Sequence, residues 1–160
     1  MAGKRPSFAD KAPDLSRETS QRVLADWVRS ALRLDRPDIL HAAVRQLCRC
    51  QDMKIVDPLE RAFTANLLAL EQALADDSAT RRRIVRTRKK LERDGAEAVL
   101  ADLVLKANAS DAFLRMVAFG QVENTPEALV LDHAGRFDGA VAEAARARLQ
   151  EYGYDALQPS

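Results

Sequence analysis

A chain of 160 residues, 47% hydrophobic but only 5% aromatic, is long enough for one ordinary domain and too short for two large ones, and its core must be built from Leu, Val and Ala rather than from rings. Two cysteines one residue apart, Cys48 and Cys50, exclude an ordinary disulfide scaffold, and no apolar run approaches the length needed to span a membrane. The net charge of +1 hides an asymmetry: residues 1–80 balance twelve Lys and Arg against twelve Asp and Glu, residues 81–93 hold eight basic residues against Glu92 alone, and residues 94–160 hold five basic against eleven acidic.

The opening Met1-Ala-Gly-Lys-Arg-Pro-Ser is polar and basic, with no secretory apolar segment behind it. The chain is therefore expected in a reducing cytoplasm. Residues 1–14 read as a flexible arm. A first helix is predicted from about Ser16 to Leu34, because Val23, Leu24, Trp27, Val28, Ala31 and Leu32 recur on one helical face. Asp35 is predicted to cap a second helix, with Pro37 in its first turn where a missing N–H costs nothing. That helix sets Ile39, Leu40, Ala43, Val44, Leu47 and Cys48 on one side.

Asp57-Pro58-Leu59-Glu60 is the clearest helix start in the sequence: an N-cap carboxylate, Pro at the first helical position and Glu two residues further on. The helix it opens carries Leu59, Phe63, Leu67, Leu70 and Leu74 and is expected to be the most buried of the first half. Asp76-Asp77-Ser78 then caps a basic helix over 79–93. Asp94-Gly95 stops that helix and starts another, whose Ala96, Val99, Leu100, Leu103, Val104 and Ala107 form an amphipathic stripe. Ser110 caps a short apolar helix that Gly120 ends. Thr125-Pro126-Glu127 opens a further one, and a last helix runs from about Asp138 to Tyr152 before Gly153.

These elements predict an all-α protein, a compact bundle of about seven to eight helices, with residues 15–153 as a single α-helical domain. The variant is two helical subdomains, 15–77 and 95–153, linked near residues 76–95 by the basic helix 79–93. Residues 154–160 are expected to fray. There is no fixed-period repeat, which argues against a solenoid.

Chemistry is sparse. Cys48 and Cys50 point about 200° apart on a helix, and His41 and His133 are distant in sequence, so no metal set is expected. The cysteines read as core or boundary residues. Neither histidine has a nucleophile or carboxylate at a motif spacing, no glycine-rich loop cradles phosphate, and no loop has calcium-binding spacing. Catalytic residues are none, and no cofactor is implied. An enzyme stays third among the readings only because catalytic groups can be distant in sequence. Residues 110–133 have a helix-turn-helix outline, but Glu123, Glu127 and Asp132 would face DNA phosphates and be repelled.

The binding candidates are Arg81, Arg82, Arg83, Arg86, Arg88, Lys89, Lys90 and Arg93. On a helix, only Ile84, Val85 and Leu91 are apolar among them. Like charges at i and i+4 weaken a helix, so an anion is expected nearby. It is either the acidic C-terminal half, through Glu97, Asp102, Glu123 or Glu127, or an external partner. The favoured reading is a non-catalytic adaptor or regulatory protein acting through protein contacts, with a protein partner of unspecified identity and no membrane. The alternative is a nucleic-acid-associated protein that holds phosphate through the basic helix.

Overall fold

The computed structural model describes residues 13–154. The expected N-terminal arm, up to residue 12, and the expected frayed tail from residue 155 lie outside the described residues. Within them are eight α-helices and no strand: α1 (Gln21–Arg33), α2 (Pro37–Arg49), α3 (Pro58–Ala73), α4 (Ser78–Asp94), α5 (Ala96–Leu105), α6 (Asp111–Ala118), α7 (Pro126–Asp132) and α8 (Gly139–Glu151). Short 3₁₀ turns at Val122–Asn124 and Ala134–Arg136 flank α7. The protein is an all-helical bundle.

Four of the predicted starts are made by the predicted side chains. Asp57 accepts from the Glu60 N–H at 3.0 Å, Asp77 from Thr80 at 3.2 Å, Ser110 from Phe113 at 3.2 Å and Thr125 from Ala128 at 3.1 Å. Each satisfies one of the donors that a helix leaves unpaired at its first turn.

Two boundaries differ from expectation. α1 begins at Gln21 rather than near Ser16, because Ser20 supplies the cap to Val23. The preceding residues run irregularly, anchored by buried Leu15 and by the Gln46 side chain donating to the Glu18 carbonyl at 2.9 Å. Asp35 does not cap α2. It takes φ of 52°, and its N–H and that of Arg36 fold back on the Leu32 and Ala31 carbonyls, which closes α1 in a Schellman arrangement. Asp tolerates this left-handed geometry better than most residues. The α2 cap position falls to Arg36, which grips Asp38 through two nitrogens at 3.0 and 2.7 Å.

The helix with the strongest start signal is the centre of the fold. α3 packs against α1, α2, α4, α5, α6 and α7, and Leu59, Phe63, Leu67 and Leu70 are almost wholly removed from solvent. The core cluster built around them runs from Leu15 to Ala145. Leu67→Ala is expected to cost about 3 kcal/mol by urea denaturation. A cost under about 0.5 kcal/mol, the usual range for a surface position, would contradict the placement of α3.

Gly95 is the sole residue between α4 and α5. Its φ of 89° and ψ of 160° lie where only glycine sits without strain. The basic helix and its successor therefore meet at a joint of one residue.

Candidate anion-binding surface

α4 is a 17-residue helix with a narrow inner stripe, buried Thr80, Ile84 and Leu91. The remaining directions are left to charge, and the eight cations divide into two groups. Arg88 lies half-buried and holds Glu71 of α3 bidentately, at 2.7 and 3.0 Å, with Glu92 at 3.1 Å. Arg83 reaches Asp111 at the start of α6 at 2.7 Å, and Arg93 takes its neighbour Asp94 at 2.9 Å. These three serve the fold or the helix end. Arg81, Arg82, Arg86, Lys89 and Lys90 are all exposed, and among the described residues none makes an ion pair with an acid, though Lys90 lies near enough to Asp94 to help Arg93 hold its carboxyl below the usual range.

The acids expected to neutralise the helix from within are occupied elsewhere. Glu97 pairs with Arg136, which also holds Asp57 at 2.7 Å. Asp102 pairs with Lys106, Glu123 with Arg45 and Glu127 with Arg148. Of the C-terminal acids, Asp94 and Asp111 reach the eight candidate cations, through Arg93 and Arg83, and neither is one of the four expected from sequence. Glu127 corrects a second expectation: it is fully buried and presents nothing to an approaching phosphate.

Arg82, Arg86, Lys89 and Arg93 recur at i, i+4, i+7 and i+11, one line along the outer face of α4. At 1.5 Å per residue the line is roughly 16 Å long. Lys90 and Arg86 turn toward α5. There the helix walls a cleft of about 500 Å³ floored by Ile84 and Leu103 and closed by the turn 106–110 and the first residues of α6. A second hollow of about 370 Å³ continues it along α5, sharing Thr87, Lys90, Leu103 and Lys106. Lys106 and the turn behind it escape a sequence reading, because only the fold brings them opposite α4.

The remaining candidates have structural roles. Burial pushes the Cys48 thiol up to about 12, so the reactive thiolate is withheld at neutral pH; Cys50 is also raised by burial. His133 sits at the C-terminal end of α7 with Nδ1 3.1 Å from the Leu129 carbonyl, and the His41 ring lies against Gly120. Among the described residues, no group of three His, Cys, Asp or Glu is placed to hold a metal ion, and no helix is long and apolar enough to cross a membrane. Comparisons with protein-family models, with curated proteins and with solved structures found no match for this chain.

Proposed function

We propose that this protein works by binding rather than by catalysis, and that the outer face of α4 holds a nucleic-acid phosphate backbone without reading its sequence. The observation that carries this reading is the set of five exposed cations on one helix that make no ion pair, three of which, Arg82, Arg86 and Lys89, lie in line along its outer face. Energetically important protein interfaces centre on aromatic and apolar anchors, and this face offers no exposed large hydrophobic residue. Among the described residues, the exposed large hydrophobics are Leu32, Leu34, Val56, Leu105, Leu114 and Tyr152, all on other elements, and exposed apolar residues are ordinary on a protein surface. That favours phosphate over the adaptor reading. With no aromatic residue in α4, stacking on bases is absent and the attraction is electrostatic, so it supports affinity rather than base specificity.

Fluorescence anisotropy with a labelled duplex of about 20 base pairs tests this. The logarithm of the binding constant should fall against the logarithm of salt with a slope of about −3 to −4, as four phosphate contacts require. The combined variant Arg82→Gln, Arg86→Gln, Lys89→Gln, Lys90→Gln should lose at least about ten-fold in affinity and flatten that slope. Its melting temperature should hold or rise, because the Arg82–Arg86 and Arg86–Lys90 repulsions are gone. Absence of binding at about 50 mM salt, or equal binding by the variant, would refute the reading. A variant that melts lower at low salt would show that these charges are matched within the molecule.

A further inference from the structure

We infer that the cleft between α4, α5 and the turn 106–110 that leads into α6 is a separate site for a phosphomonoester whose body is of nucleoside size. Charge is the first argument. The two joined hollows are lined by five cations, Arg83, Arg86, Lys90, Arg93 and Lys106, and by three acids, Asp94, Asp102 and Asp111. Each acid has its own partner: Arg93 for Asp94, Lys106 for Asp102 and Arg83 for Asp111. Arg86 and Lys90 remain, a surplus of two positive charges. A phosphomonoester carries about −1.5 to −2 near neutral pH, which that surplus matches.

Shape is the second argument. The floor is apolar, with buried Ile84 and Leu103 flanked by Ala107, Ala109 and Ala112. Asn108 and Ser110 add polar groups at the rim. A volume of about 500 Å³ lies within the span of small-molecule sites, which pair apolar walls with a few placed polar groups.

The third argument is that the walls are held. Arg148, reaching across from α8, donates to the carbonyl oxygens of Lys106 and Ala107, so the turn is pinned from behind by a buried guanidinium. At the other wall Arg83 is fixed by Asp111 and by Thr80 Oγ1. Ser110 accepts the Phe113 N–H and keeps its own O–H free to donate. A site whose walls are set in advance loses less on binding than one that must be ordered.

Free nucleotides and the 5′-phosphorylated end of a strand present the same chemistry, and the experiment separates them. Amide chemical shifts of the full chain are followed with AMP, adenosine, inorganic phosphate, and a short oligonucleotide with and without a 5′-phosphate. AMP should move residues 84–90 and 103–112, and adenosine should bind about ten-fold or more weakly for want of its charge-assisted contacts. Arg86→Gln and Lys90→Gln should each weaken AMP about ten-fold, and Thr87→Leu, which fills the cleft without touching a cation, should abolish binding. Arg82→Gln with Lys89→Gln lies outside the cleft. It should leave AMP binding unchanged while weakening the duplex, so the two proposals fail separately. A 5′-phosphate preference in the oligonucleotide would assign the site to strand ends, and its absence beside AMP binding would assign it to free nucleotides. No shifts at about 10 mM AMP, shifts shared equally by adenosine, or shifts that follow the outer line of α4 and survive Thr87→Leu would overturn the inference.

Discussion

Arg148→Ala is expected to destabilise the protein by about 3–5 kcal/mol at about pH 8, and by much less at about pH 5. Arg148 and Glu127 are a buried pair, 3.3 Å apart, and the second Glu127 oxygen has no hydrogen-bond partner. Burial already pushes the Glu127 carboxyl up to about 7, against the pull of the arginine. Without Arg148 the carboxylate is left unpaired at alkaline pH, whereas in acid it takes a proton and the penalty lapses. The same group shapes the native protein. Its folded value lies above the ordinary 4.5, so the folded state holds an extra proton between those two values. The stabilisation is complete below about pH 4.5, declines as pH rises and is gone above about pH 7, a change of about 3 kcal/mol. Urea denaturation across this range checks both statements. Glu127→Gln should remove the decline, and a pH-independent cost for Arg148→Ala would assign it to the lost bonds to the Lys106 and Ala107 carbonyls rather than to Glu127.

Gly120→Val should cost on the order of 4 kcal/mol, from two separable sources. The residue sits at φ of 70°, which a β-branched side chain resists. In addition, any Cβ there would fall 2.6 Å from His41 Cγ, and nearer still to Nδ1. The His41 backbone is tied to this corner by the buried Gln121 side chain donating to its carbonyl at 3.0 Å, so relief has to come from rotation of the ring itself. In a His41→Ala background the steric part should vanish and roughly half the cost remain, the backbone share. A full cost in both backgrounds would assign the whole effect to the backbone.

What sequence made legible was local. Caps at Asp57, Asp77, Ser110 and Thr125 act within three residues, and the apolar stripe of α3 needs only helical periodicity to be recognised. The misreadings share another cause. Asp35 looks like a cap, but it takes the left-handed position that closes α1, and the cap position of α2 falls to Arg36. Glu127 looks like a surface acid in a first turn; only α8, 21 residues on, brings the arginine that lets it be buried. For the site, the cations were evident from composition, but which of them stay unpaired was not. Arg88 is claimed by Glu71 and Arg83 by Asp111, 17 and 28 residues away, and such pairings depend on packing rather than on charge counts. The cleft's far wall was illegible for the same reason.

The one-residue joint at Gly95 also sets where this chain tolerates a change in length. An extra residue there would change both the direction and the rotation in which α5 leaves α4, swinging Leu100 and Leu103 out of the core and Lys106 away from α4. The stretch from Gln51 to Val56 is the opposite case. It has no regular structure, Val56 is 87% exposed, and it is tied down chiefly by Arg61 donating to the Ile55 and Val56 carbonyls. A tag, a fluorophore-bearing loop or a fused domain belongs in that stretch, where added residues leave the spacing of α4 and α5 untouched.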